Sequence, residues 1–278
     1  MIHSDFHIHS EFSYDAKTPV EQIALRAKEQ GLRAVGITDH VNFNDESFLE
    51  DLRRSAGGVK SIQEKYPFVI LGVELTPIEK PEFDYIARTK TREGYVAPVQ
   101  SEPFAIELAQ TKEELMRLGV RYAVGAAHWR VDIPGGVSLA PDLEADMREW
   151  HRQQIYLACD ERVTILGHPW YHPYRIWYED FSVIPRSMHN ELGAALKENG
   201  KYVECNADFF QNPHASERFR HQYSEFLREL FEMGIPITYG SDAHNGYLDA
   251  RGDAEHYLSL AGFSEGDFSE LSPSVLWK

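Results

Sequence analysis

Cysteine is nearly absent: the chain of 278 residues has two, Cys159 and Cys205, far apart and outside any C-x-x-C spacing. That excludes a disulfide framework or a thiolate metal knot and leaves two free thiols. No apolar run approaches the roughly 18 residues that cross a bilayer, so no membrane partner is expected. Positive charge is scarce too, with 28 Lys and Arg against 44 Asp and Glu and a net charge of -16. Such a surface repels nucleic-acid phosphates rather than steering them, so no nucleic-acid partner is expected. Glycine loops of the G-x-G-x-x-G or G-x-x-x-x-G-K type are missing, which removes the nucleotide-loop readings. No linker, short repeat or low-complexity stretch divides the chain, so residues 1–278 read as one domain. The first residues already alternate like a strand and leave no room for a leader, which points to the cytoplasm. No feature specifies an oligomeric state.

What is present is a rhythm of short apolar, β-rich runs ending in polar residues, each followed by a helical pattern. Asp5–His9 is the first such run. Thr18 as N-cap and Pro19 at the first helical position then predict a helix carrying Val20, Ile23, Ala24 and Ala27 at helical spacing. Further strands are expected over 34–40, 69–74, 122–128, 163–168, 202–206 and 237–241. Helices are expected over 48–66, 111–118, 143–159, 187–198 and 216–233, with a last one after Tyr247. Thr111 and Glu114 have capping-box spacing. Strands alternating with helices imply parallel pairing through βαβ crossovers, and about seven units imply a closed or nearly closed barrel. Two segments break the rhythm. Residues 79–108 hold Pro81, Pro98 and Pro103 with little periodicity and read as an insertion. Residues 169–185 are crowded with aromatics, among them Trp170, Tyr171, Tyr174, Trp177, Tyr178 and Phe181.

Nearly every expected strand ends in a good metal ligand. His7 and His9 lie two apart and leave the same face of a strand. The following runs end in Asp39-His40, Gly72-Val73-Glu74, Ala127-His128 and Gly167-His168, and the last is followed by Ser241-Asp242-Ala243-His244. A single His at a strand end is more often a hydrogen-bonded residue than a ligand; the repetition is what argues for metal. In a parallel barrel the carboxyl ends of the strands gather at one mouth, so these residues converge. Many buried imidazoles and carboxylates at one mouth are costly without cations to pair with them. Imidazole and carboxylate without thiolate suit Zn, Mn or Fe, and this many ligands suit two or three ions bridged by a carboxylate such as Glu74. Neighbouring ions clamp a phosphoryl group and acidify water between them, so the chemistry expected is hydrolysis.

At these residues the chain resembles the PHP family, the polymerase and histidinol phosphatase domain. The motifs are Asp5-Phe6-His7-Ile8-His9-Ser10, Thr38-Asp39-His40, Gly72-Val73-Glu74, His128, Gly167-His168-Pro169 and Gly240-Ser241-Asp242-Ala243-His244, in that order from Asp5 to His244. The resemblance implies an α/β fold, a distorted (β/α)7 barrel of TIM-barrel type, three metal ions and phosphoester hydrolysis, histidinol phosphate being the best-known substrate. It implies His7, His9, Glu74 and Asp242 around a first metal, with Glu74 bridging to a second completed by His128 and His168. His40 and His244 belong to a third. The residue six after His9, histidine in many members, is Asp15 here, and a carboxylate can take that place. The implied nucleophile is a metal-bridging hydroxide, with Asp242 as a further proton acceptor.

Other residues are candidates for contact with a small phosphorylated substrate. Arg130, two beyond His128, and Asn206, at the sixth strand end beside Glu204, are expected there. Asp5 and Asp39 adjoin histidines and are expected to orient imidazoles. The aromatic stretch after His168, with His172 and Arg175, either lines a pocket or packs as core. Arg88, Lys90 and Arg92 in the insertion form either a basic lid or a solvated face. Two other classes compete: an amidohydrolase-type enzyme, which also starts with His-x-His, and a non-catalytic metal-binding domain. Glu74 as a bridging carboxylate and His244 two residues after Asp242 argue against the first. The second predicts lost ligands, and only Asp15 departs.

Overall fold

The computed structural model describes residues 1–98, 103–132, 142–172, 176–245 and 251–278, so Tyr174 and Arg175 lie outside the described residues. The first strand, β1, is Ser4–Ile8, and helix α1 is Val20–Glu29. Pro19 itself occupies the N-cap of α1, one residue later than the sequence pattern predicts, and no side chain caps that helix. The predicted second strand divides into β2 (Ala34–Ile37) and β3 (His40–Val41), followed by α2 (Glu46–Ile62), whose N-cap Asp45 accepts the Phe48 N–H at 3.2 Å. The third divides likewise, into β4 (Val69–Leu71) and β5 (Val73–Leu75).

The insertion has structure of its own, against the expectation of an unpatterned segment. Strand β6 (Ile78–Glu79) pairs antiparallel with β7 (Ile106–Glu107), and α3 (Lys80–Thr89) lies between them. Pro81 stands in the first turn of α3, where a missing N–H costs nothing, so it opens the helix instead of breaking it. After α4 (Lys112–Arg117), with the Thr111–Glu114 capping box formed, come β8 (Ala123–Gly125), α5 (Leu143–Cys159) and β9 (Ile165–Leu166). A single 3-10 turn at Phe181–Val183 precedes α6 (Arg186–Glu198). Then follow β10 (Tyr202–Asn206), a short α7 (Asp208–Gln211), α8 (Glu217–Glu232), β11 (Ile237–Gly240) and α9 (Arg251–Leu260).

Every strand pairing apart from the β6–β7 ribbon is parallel. One sheet runs β1-β2-β4 and the other β11-β10-β9-β8-β5-β3. Taking each divided strand as one, seven strands follow in chain order around a ring. Its seam lies between the first and last: Ile8 bridges Ala243, the His9 N–H donates to Ala243 O at 3.1 Å, and the Asp242 N–H donates to His7 O at 2.8 Å. The divided strands hand over by single bonds, Gly72 N–H to Ile37 O at 2.8 Å and Glu74 N–H to Asp39 O at 3.2 Å. This is the distorted barrel the motifs imply.

Two separate buried clusters fit that shape. Phe6, Tyr122, Val124, Ile165, Tyr202 and Leu271 form one, the filling of the ring. The larger one lies under the helices, where the apolar stripes of α1, α6 and α8 face the strands. Tyr122 donates its hydroxyl to Phe6 O at 2.8 Å, and a Cβ on Gly36 would fall 1.6 Å from that hydroxyl oxygen, so the ring closes here only with glycine. The carboxy-terminal segment crosses the far end, with Ser269 N–H bonded to Ile237 O and Trp277 N–H to Arg121 O. Among the described residues no helix is long and apolar enough to cross a membrane.

Candidate metal centre

The strand ends opposite that tail carry the predicted ligands, and the structure brings all nine together. His7 and His9 come from the end of β1, His40 from the start of β3, and Glu74 from the middle of β5. His128, His168 and Asp242 follow β8, β9 and β11. His168 and Asp242 have φ of 23° and 54°, in or near the left-handed region that side-chain-bearing residues rarely adopt. Such positions cost about 1–3 kcal/mol each. Here the backbone reversal turns both side chains back over the mouth.

Three adjoining groups of donor atoms result. His7, His9 and Asp242 form one, with Glu74 Oε1 at 3.4 Å from His7 Nε2 and Asp242 Oδ1 at 3.2 Å from His9 Nε2. His40, Glu74 and His128 form the second, and His168 Nε2 lies 3.2 Å from Glu74 Oε1. His9, Asp15, His40 and His244 form the third, Asp15 Oδ2 lying 3.3 Å from both His40 Nε2 and His244 Nε2. The grouping differs from the implied one in that two histidines are shared: His9 belongs to the first and third groups, and His40 to the second and third, its ring presenting Nδ1 to Glu74 and Nε2 to Asp15.

The donor set fits cations. His40 Nδ1 lies only 2.6 Å from Glu74 Oε2, yet neither buried atom makes a well-formed hydrogen bond. His7 Nε2 and His9 Nε2 face each other at 3.2 Å. Lone pairs converging in this way, in a shell where Glu74 is fully buried, are stabilised by a positive charge between them. Burial opposes the charged form of Glu74, but His40, His128 and His7 hold its carboxyl well below the usual range. Burial likewise opposes a charge on His40, while Glu74 and Asp15 push that imidazole up to about 10. Burial and the neighbouring His40 push His9 down to about 3, so its ring is neutral.

The residues that orient this shell are not the ones adjacency suggests. Asp39 accepts from Ser10 N at 2.6 Å, Ser10 Oγ at 2.7 Å and Ser55 Oγ at 2.6 Å, pinning the turn after β1 to α2. Asp5 accepts the backbone N–H groups of His7 and Ser241. Neither touches an imidazole. Glu204 does: its Oε1 lies 2.7 Å from His7 Nδ1, which leaves Nε2 facing the mouth, and its Oε2 accepts the His168 N–H. Thr76 Oγ1 lies 2.9 Å from His128 Nδ1, and the Asp242 carbonyl 2.8 Å from His244 Nδ1. Gly240 permits the Glu204 contact, since a Cβ there would fall 1.8 Å from Glu204 Oε1.

The two residues expected at the substrate carry other bonds. Asn206 Nδ2 is shared between Glu204 Oε2 at 3.2 Å and Asp242 Oδ2 at 3.3 Å, and its Oδ1 accepts the Asp208 N–H. Arg130 pairs with Asp132 and, at 3.1 Å, with Asp146. His172 is buried with Nε2 3.4 Å from Asp146 Oδ2. Trp170, Trp177, Tyr178 and Phe181 are core. Tyr171 is the exception, its ring 5.1 Å from His168.

A closed parallel barrel with this cluster at its strand ends defines a metal-dependent hydrolase, of the phosphoesterase class. The chain belongs to the PHP domain family, whose match spans residues 5–262. No curated protein matches it. Among solved structures it is similar to histidinol phosphate phosphatase from Lactococcus lactis, at 21% identity and a TM-score of 0.64, with 94% of each chain covered. That protein was solved with zinc, L-histidinol and phosphate. A more distant likeness is to ochratoxinase from A. niger, at 13% identity and a TM-score of 0.46, covering 94% of this chain and 67% of that one.

Proposed function

We propose that the chain hydrolyses the phosphomonoester of a small metabolite, with L-histidinol phosphate the first substrate to test. The observation that carries this is the set of three adjoining carboxylate–imidazole groups at one barrel mouth, with buried donor atoms left unpaired. His7, His9, Glu74 and Asp242 would hold a first ion, Glu74, His128 and His168 a second, and Asp15, His40 and His244 a third, with His40 and His9 near enough to serve neighbouring groups. When bound, divalent ions of the Zn, Mn or Fe kind draw in a phosphoryl group and acidify a water. The chain's own residues do the rest. Glu204 keeps the His7 proton on Nδ1. Asn206 orients Asp242 through Oδ2, and the Asp242 carboxylate accepts the proton of the attacking water. The solvent-shielded walls at Glu74 and His9 keep the local field strong.

The test is a panel of phosphomonoesters, amides and lactones on protein of measured metal content. Turnover of phosphomonoesters that disappears on chelation and returns with metal is the expected result. Turnover of the amides or lactones instead would identify an amidohydrolase-type enzyme. His7→Ala and Asp242→Ala should each lose metal and at least about 100-fold in kcat/KM. Full metal and full activity in either variant would refute the assignment.

A further inference from the structure

We propose that Arg92, held at the rim of the metal mouth by the insertion, binds a second anionic group on the phosphoester substrate. The inference rests on the phosphoesterase reading above and favours a phosphoester with a second acidic group over L-histidinol phosphate, whose other groups are an amine and an imidazole. A chain of ring contacts leads from the metal centre to this arginine. The Trp129 ring lies 5.9 Å from that of His128, and Phe43, three residues beyond His40, stacks on Trp129 at 5.6 Å with 11° between the planes. The Arg92 guanidinium lies over Phe43, 4.3 Å from its centroid. On the other side the Phe48 and Tyr14 rings continue the wall to His40, Tyr14 lying 5.2 Å from it.

The insertion is fixed to this wall. Asn44 Nδ2 donates to Phe83 O at 3.2 Å, tying the segment after β3 to α3. The Arg92 Nε donates to Glu82, a carboxylate only 8% exposed, while the arginine is 52% exposed. Glu82 therefore anchors one edge of the guanidinium, and among the described residues its terminal nitrogens have no hydrogen-bond partner. A planar fork held over an aromatic ring and fixed at one edge is pre-organised for a carboxylate or phosphate. Arg130, the other arginine near the centre, already has its donors on Asp132 and Asp146. In an acidic chain, Arg92 thus gives the rim a cation with open donors.

The experiment uses the metal-loaded protein hydrolysing p-nitrophenyl phosphate, with 6-phosphogluconate and sorbitol 6-phosphate as competitors, long enough to reach from the metals toward the ring wall and differing in one terminal carboxylate. Wild-type protein should bind 6-phosphogluconate more tightly, and Arg92→Ala should reduce that preference about tenfold, the loss of one charge-assisted pair. Arg92→Lys, which keeps the charge but not the planar fork, should recover only part of it. Arg88→Ala removes a nearby charge that lies over Tyr85 instead of the stack, and it should leave the preference intact. No preference in the wild type, an equal loss for both competitors in Arg92→Ala, or an equal effect of Arg88→Ala would overturn the inference alone. Metal-loaded protein that cleaves no phosphoester would overturn the reading beneath it.

Discussion

Glu204→Gln is the sharpest perturbation of the centre, because it keeps the side chain's shape while removing its negative charge and turning one accepting end into a donor. The carboxylate accepts at both ends: Oε1 from His7 Nδ1, Oε2 from the His168 N–H and from Asn206 Nδ2. An amide has one accepting oxygen. With that oxygen toward His7, its NH2 meets two donors, and buried N–H groups lose their acceptor at a cost of about 1–3 kcal/mol. With the amide flipped, its NH2 faces His7 Nδ1, which must then accept, so the proton moves to Nε2. That nitrogen faces Glu74 and Asp242 and could no longer ligate a cation. Neither orientation preserves both folding and the site. Metal affinity should fall about 10–100-fold, the usual effect of losing a carboxylate behind a ligand histidine. A chromophoric-chelator competition measures this, and urea unfolding measures the stability loss if the first orientation prevails. An unchanged urea midpoint together with unchanged metal affinity would refute the role given to Glu204.

Gly240→Ala should destabilise the protein by about 1–3 kcal/mol in urea unfolding, since its Cβ would stand 1.8 Å from Glu204 Oε1 and 2.6 Å from His7 Cβ; wild-type stability with bound metal would show that the strand ends are looser than described. Asp15→Asn removes the one carboxylate of the group with His40 and His244, and should lower metal content by about one equivalent while the fold persists by circular dichroism. Undiminished stoichiometry would remove Asp15 from the ligand set.

Much of this centre is legible in the sequence because strand geometry is periodic. His7 and His9, two apart, had to share a face, and a parallel barrel had to collect the other strand-end histidines. The same periodicity explains why Asp39 does not orient an imidazole. A residue adjacent to His40 on an extended chain points to the opposite face, and Asp39 accordingly binds Ser10 and Ser55. Asp5 shares a face with His7 but is too short to pass its own backbone, and binds N–H groups there. Glu204 has the reach, yet it acts on β1 from β10, a pairing across the barrel that no local spacing encodes. The divided strands were hidden for a related reason: the main chain changes partners at Thr38–Asp39 and at Gly72, while the apolar pattern runs straight through both. Helix α3 was obscured by Pro81, a residue that reads as a breaker unless its place in the first turn is known.

The charge of the centre explains how an acidic chain can receive a phosphate at all. Glu74, Asp242, Asp15 and Glu204 place four formal negative charges around the mouth, and the adjoining imidazoles, once they ligate, are neutral. On the proposed assignment two divalent ions only cancel those charges, so the mouth would gain no attraction for an anion from them. A third ion leaves a positive surplus. The group built on Asp15 is then the one that turns a neutral cage into an anion site. Asp15→Asn, which removes that ion together with one of the four carboxylate charges, lowers the surplus without abolishing it, and should therefore weaken phosphate binding more than it weakens the protein, a distinction visible by comparing phosphate inhibition with urea stability. Equal phosphate affinity in that variant and the wild type would mean that the attraction comes from the protein rim instead.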